Sequence, residues 1–136
     1  MGVAFYLAFE DGSGGWTEDV NGKCIARAAD ELERVLKRAR QPSIYSFCSE
    51  TREQAIVEAG GDPDDPSSFD EAAIASPTWH TPDRGLSVVR CLLDYMRGKT
   101  KRIDNPECVQ QDLKVFEKQL VAAAAHGTRW HLVIYS

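Results

Sequence analysis

The C-terminal stretch from Asn105 to Ser136 constrains the fold more than any other part of the chain. Asn105 and Pro106 are typical of a helix start, because a capping residue precedes a proline that needs no backbone N–H. Apolar residues then recur at helical spacing as far as Gly127, which fits a left-handed C-cap. The final strand has two apolar faces, formed by Trp130, Leu132 and Ile134 and by His131, Val133 and Tyr135. Such a strand needs cover on both faces, so it is predicted to lie in the core.

A second strand with two apolar faces is predicted at Val3–Phe9. The two terminal strands are natural partners in one sheet, and the sequence leaves their relative direction open. Three amphipathic helices are predicted, over residues 23–40, 81–97 and 106–126. The pattern therefore predicts an α+β fold, with about three main helices packed on a small sheet formed by the N- and C-terminal strands. The length of 136 residues and the lack of a linker predict a single domain over residues 1–136.

The middle of the chain carries weaker signals. Ile44–Phe47 is compatible with a short strand that joins the sheet or with a helical turn, and we favour the turn. A short helix is predicted over residues 51–59, with Ser49 or Glu50 near its cap. Residues 62–76 are predicted to form a surface loop with one helical turn around residues 69–74. Loops of this length inside a compact domain are often functional.

Composition limits the classes of function that fit. The net charge of −5 argues against general nucleic-acid binding, which usually needs a basic surface. The apolar runs are far shorter than the ~20 residues that a membrane-crossing helix needs. Met1–Glu10 lacks the basic start and cleavage site of a secretion signal. We therefore expect a cytoplasmic protein that does not bind membranes.

The cysteines are predicted to be reduced. No two of them form a C-x-x-C pair, and none lies close to a histidine in the sequence. An even number of cysteines does not imply disulfides in a protein without a secretion signal. Cys24, Cys91 and Cys108 fall near the apolar stripes of predicted helices, where they would act as small hydrophobic side chains.

One segment is strongly acidic. Residues 50–71 contain eight carboxylates and a single cation, Arg52, so the segment carries −7 and the remaining residues carry +2. Acidic surfaces accelerate encounters with basic partners. A candidate partner surface is therefore predicted at Asp62, Asp64, Asp65 and Asp70, which favours a non-enzymatic protein-interaction module that neutralises a basic protein. The alternative is that these acids only keep a loop solvated.

Aromatic and histidine residues form a second candidate site. Tryptophan is enriched among residues that dominate binding energy, and loops carry function more often than scaffolds do. A speculative ligand or partner site is therefore placed at Trp16, Trp79, His80, Trp130 and His131. This site supports the alternative function, a small-molecule binding protein or an enzyme with a pocket near these side chains. Packing against the core is the competing interpretation for each of them.

Motifs for catalysis, metals and cofactors do not emerge from the sequence. The Asp11–Gly15 stretch contains a serine among glycines but matches neither a nucleophile elbow nor a P-loop. The run that begins at Asp62 lacks the glycine and glutamate of a calcium-binding loop. No catalytic residue, metal or cofactor is therefore predicted. A homodimer that pairs through an exposed sheet edge remains a third possibility.

Several short patterns are spread along the chain: 20–23 (Val-Asn-Gly-Lys), Trp79 with Pro82, 85–89 (Gly-Leu-Ser-Val-Val), Asp112-Leu113 and 127–132 (Gly-Thr-Arg-Trp-His-Leu). Together they resemble a group of small bacterial proteins to which no function is assigned. The resemblance covers nearly the whole chain and implies no catalytic residue. The acidic stretch from Glu58 to Asp70 departs most from the pattern, so a specific role is expected there.

Overall fold

The structure is a computed structural model that describes residues 3–13, 22–98 and 102–135. Its elements follow in the order β1 (Ala4–Phe9), α1 (Lys23–Arg27), α2 (Ala29–Arg38), α3 (Arg52–Glu58), α4 (Pro82–Met96), α5 (Pro106–His126) and β2 (Trp130–Tyr135). Short 3₁₀ turns lie at Ile44–Phe47, Pro66–Ser68 and Glu71–Ala73. Within these residues, none of the helices combines the length and apolar character required to cross a membrane.

The two terminal strands pair with each other, as the sequence predicts. They run antiparallel, with a register from Ala4 opposite Tyr135 to Phe9 opposite Trp130. Alternate residues share a face, so one face of this two-stranded sheet carries Phe5, Leu7, Phe9, Trp130 and Leu132, all of which join the main core. The predicted α+β fold is confirmed, with five helices packed on the terminal sheet.

The helices cover that apolar face. α4 packs along α5, α1 contacts both α5 and β1, and α2 packs on α4. α5 ends as predicted, because Gly127 adopts a left-handed conformation with φ of 66°. At its start, Asn105 is left-handed and makes no side-chain capping bond. The buried stripe of α5 runs from Val109 to Ala123.

The first predicted helix is two helices. It breaks at Ala28 and ends at Arg38 instead of continuing to residue 40. Each part is held by a different neighbour, because α1 packs on α5 whereas α2 packs on α4. Ala28 lies between the two helices, with φ of −93° and ψ of 5°.

The second face of the sheet is also covered, as its apolar pattern predicts. His131 and Val133 are buried on this face although they lie outside the main core cluster. The ring of Trp79 packs against that of His131, with centroids 4.9 Å apart. Burial raises the pKa of the Tyr6 hydroxyl on this face, and the charge of Glu53 in α3 adds to the effect. Ile56 of α3 is fully buried.

The segment between α2 and α3 contacts the free edge of β2 at Leu132. The turn at Ile44–Phe47 is helical, which confirms the favoured interpretation. Cys48 then forms a parallel bridge with Leu132, and the Ser49 N–H donates to the Leu132 carbonyl at 3.1 Å. The cap of α3 is Thr51, in a capping box with Gln54, and not Ser49 or Glu50.

The prediction that all cysteines are reduced is wrong for two of them. Cys24 in α1 and Cys108 in α5 form a disulfide, with their Cα atoms 5.8 Å apart. The sequence does not indicate this disulfide, because its two cysteines are 84 positions apart and meet only when α1 packs on α5. Cys48 and Cys91 are free.

Candidate functional site

Trp130 is the centre of the aromatic cluster at the end of the sheet. Its ring stacks on Phe47 with centroids 5.0 Å apart, and its indole N–H donates to the Thr81 carbonyl at 3.0 Å. Its backbone exchanges hydrogen bonds of 2.8 and 3.0 Å with that of His80. The loop before α4 is thereby fixed to β2, and Trp130 is only 3% exposed.

A glycine in α4 makes room for this ring. A Cβ atom at Gly85 would lie 2.8 Å from Cε2 of Trp130 and closer still to Cζ2. Sequence reasoning treats a glycine inside a helix as a weak point, but here it permits the indole to lie against the helix backbone.

The two histidines of the predicted site lie on either side of β2. His80 packs edge-on against Phe47 at 5.0 Å and lies 6.1 Å from the ring of Trp130. His131 faces Trp79, and its Nδ1 lies 3.1 Å from the Leu132 carbonyl oxygen. Burial lowers the pKa of both imidazoles; the Arg84 charge adds to this for His80, and backbone hydrogen bonds oppose it for His131. The lowered pKa values favour the neutral form of both imidazoles.

The structure thus brings four of the five predicted aromatic-site residues together, while Trp16 lies outside the described residues. The four rings form two pairs, Trp79 with His131 and His80 with Trp130. His131 is 1% exposed, so it has no access to a dissolved substrate. Trp130 also lines an apolar cavity of about 30 Å³, whose walls include no part of Trp79, His80 or His131. This volume is close to that of one water molecule.

The acidic segment, residues 50–71, lies on the surface. All eight of its carboxylate side chains are exposed. Three of the predicted aspartates organise the local backbone: Asp62 accepts from the Asp64 N–H at 2.9 Å, Asp65 from the Ser67 N–H at 3.1 Å and Asp70 from the Ala72 N–H at 3.1 Å. The hydrogen bonds from Ser67 also lower the pKa of Asp65.

Arg52 is the only cation of this segment, and it already contacts residues within the segment. Arg52 forms an ion pair with Glu71, and its guanidinium lies 5.5 Å from the centre of the Phe69 ring. Two other carboxyls approach each other, since a hydrogen bond to Glu58, with a contribution from its charge, raises the pKa of Glu50. The segment therefore presents several carboxylates without a cation of its own to balance them.

A third cluster was missed by sequence reasoning. The donor atoms of Cys24, Cys108 and Asp112 lie within 4.8 Å of one another. Asp112 Oδ2 accepts from the backbone N–H groups of Cys24 at 3.1 Å and Ile25 at 3.3 Å, and burial raises the pKa of this carboxyl. The C-x-x-x-D spacing of Cys108 and Asp112 on one helix face was the available signal.

The free cysteines and the larger clefts lie elsewhere. Burial raises the pKa of both the Cys48 and the Cys91 thiol, which disfavours the nucleophilic thiolate form. A surface cleft of about 310 Å³ between α4 and α5 is lined mainly by paired charges, including Arg90 and Glu117. Neither feature involves a residue of the two predicted sites.

Comparison with known proteins finds no family model, curated protein or solved structure that matches the chain.

Proposed function

We propose that the protein is a non-enzymatic interaction module that binds a basic partner protein through the acidic segment. The observation that carries this proposal is the exposure of all eight carboxylates in a segment of net charge −7, whose only cation is already paired. A cationic surface would relieve the repulsion between these carboxylates, and their long-range field would accelerate its approach.

The fold supports a surface role. Residues 62–73 carry their acids on turns held by Asp62, Asp65 and Asp70, so their backbone is partly organised before a partner arrives. Preorganisation lowers the entropic cost of binding. The small-molecule alternative has less support, because Trp130 and His131 are almost fully buried.

A cytoplasmic location and kinship with small bacterial proteins belong to this proposal as expectations. In the cytoplasm, cellular reductants keep most cysteines as thiols. The proposed interaction does not depend on the state of Cys24 and Cys108, which lie outside the acidic segment.

The proposal is tested by affinity capture from a bacterial extract at low and high salt. The test variant carries Asp62→Asn, Asp64→Asn and Asp65→Asn, and a matched control carries Asp30→Asn, Asp83→Asn and Asp104→Asn at exposed positions elsewhere. We expect capture of a basic protein that is lost at high salt and in the test variant but kept in the control. Failure to find a salt-sensitive basic partner, or equal loss in both variants, would contradict the proposal.

A further inference from the structure

The cluster of Cys24, Cys108 and Asp112 has the composition of a metal site. Cys108 and Asp112 are four positions apart on α5, so both side chains project from one face of the helix. Cys24 comes from the second position of α1, which packs on α5. Two helices that are distant in sequence thus deliver three ligand atoms to one point.

The site is sheltered and its carboxylate is oriented. Cys24 is 8% exposed, and Cys108 and Asp112 are partly buried. Two backbone N–H groups of α1 hold Oδ2 of Asp112, which fixes the orientation of the carboxylate beside the two cysteines. Ligands held by hydrogen bonds bind metals more tightly than free ones, because less freedom is lost on binding.

We propose that, once the disulfide is reduced, Cys24, Cys108 and Asp112 together bind one Zn²⁺ ion. Two thiolates and a carboxylate are ligands that Zn²⁺ accepts, and three protein ligands leave its fourth tetrahedral position open to water. Zn–S bonds of about 2.3 Å place two thiolate sulfurs about 3.8 Å apart. In the oxidised protein the two sulfurs are bonded to each other, so they must separate to this distance when the disulfide is reduced. A carboxylate oxygen of Asp112 already lies within 4.8 Å of both sulfurs.

The two states exclude each other. A dithiol reductant transfers two electrons and two protons to the disulfide, which breaks the S–S bond and yields two thiols, while the reductant becomes a disulfide. Zn²⁺ then displaces both thiol protons to solvent as the Zn–S bonds form. The oxidised pair has no thiolate to offer, so only the reduced protein binds the ion.

The test uses the full chain, reduced with a dithiol and freed of reductant under anaerobic conditions. Titration with Co²⁺ is expected to give one bound ion per chain, with the thiolate-to-cobalt charge-transfer absorption and the visible bands of a tetrahedral site. Zn²⁺ at one equivalent should displace the Co²⁺. The oxidised protein should show none of these bands.

Variants then assign the ligands. Cys24→Ser and Cys108→Ser should each abolish the charge-transfer pattern of two thiolates and weaken binding at least 100-fold. Asp112→Asn keeps a carbonyl acceptor for the α1 N–H groups but removes the negative charge. It should weaken binding at least tenfold, since loss of a residue that only hydrogen-bonds to a metal ligand already lowers metal affinity roughly 10–100-fold. A double variant with Cys48→Ser and Cys91→Ser should bind as the wild type does.

Other results would overturn the proposal. These are no one-to-one binding by the reduced wild type, binding that survives loss of Cys24 or Cys108, or binding that depends on Cys48 or Cys91. If circular dichroism shows that the reduced protein unfolds, Zn²⁺ must restore its helical signal, and failure to do so also counts against the site. The Asp62, Asp64 and Asp65 triple variant should bind Zn²⁺ normally, which separates this test from that of the proposed function.

Discussion

Gly85 lies in the interior of α4, where glycine ordinarily weakens a helix by about 1 kcal/mol relative to alanine. At this position alanine is expected to be less stable than glycine, because the added methyl group would overlap the Trp130 ring. Gly85→Ala should lower the free energy of unfolding by about 1–3 kcal/mol, the usual cost of overpacking a core. Urea denaturation measures the change.

The matched control is Gly98→Ala, whose Cβ would meet only the Tyr95 carbonyl oxygen at an ordinary 3.6 Å. It should change stability by less than the Gly85 substitution and without a packing penalty. Equal stability of Gly85→Ala and the wild type would show that Trp130 can move away from α4 at little cost.

His131 is expected to make stability depend on pH. Burial lowers the pKa of this imidazole below its usual value of 6.5, and the same holds for His80. When the pH falls below 6.5, these imidazoles bind protons in the unfolded chain but not yet in the folded protein. The stabilisation is therefore complete above about pH 6.5 and is lost as the pH falls toward the native pKa. The free energy of unfolding should therefore be lower at pH 5.5 than at pH 7.5.

The variant His131→Gln should show a smaller loss over this interval, whatever its stability at pH 7.5. His126→Gln, at the exposed end of α5, is the matched control and should keep the dependence of the wild type. A wild type that is equally stable at both pH values would contradict the assignment.

At the scale of elements, Arg52 joins α3 to the turns that follow it, through Glu71 and Phe69. Its ion pair with Glu71 and its contact with Phe69 are both exposed, so each contributes at most about 1 kcal/mol. Arg52→Ala should therefore leave global stability within about 2 kcal/mol of the wild type and increase hydrogen exchange in residues 62–74. Hydrogen exchange followed by mass spectrometry resolves the two effects.

Arg97→Ala removes a comparable exposed pair with Asp94 at the end of α4 and should leave exchange in residues 62–74 unchanged. Unaltered exchange in the Arg52 variant would mean that the turns of residues 62–74 are stable without the contacts of Arg52.

The elements that sequence predicts correctly are those whose signals are local. Pro82 and Gly127 mark helix boundaries by their own backbone preferences, and the alternating faces of β1 and β2 follow from neighbouring residues. The break at Ala28 is different, because it depends on packing against two other helices. Glu33 is similar, since its carboxylate accepts from the Ile44 N–H at 2.8 Å and joins α2 to the next turn.

Among the candidate sites, too, those with local sequence signals could be predicted and those created by packing could not. The acidic segment is visible in the sequence because charge accumulates along contiguous residues, and its exposure follows from its proline-rich turns. The cluster around Cys24 is invisible, because its partners on α5 approach only after α1 has docked. The contact of Trp79 with His131 was likewise set by how the loop before α4 meets β2.

At the scale of the whole molecule, the Cys24–Cys108 disulfide closes most of the chain into one loop, since its partners are 84 positions apart. By the chain-entropy argument, a loop of this length stabilises the native state by roughly 3–5 kcal/mol. Reduction in the presence of a metal chelator should therefore lower the free energy of unfolding by about that amount, measured by urea denaturation. The double variant with Cys48→Ser and Cys91→Ser should respond to reduction as the wild type does, because neither thiol takes part in the bond. If reduction leaves the wild type unchanged, the contacts of α1 with α5 and β1 hold the first helix without the covalent link, and the loop contributes little.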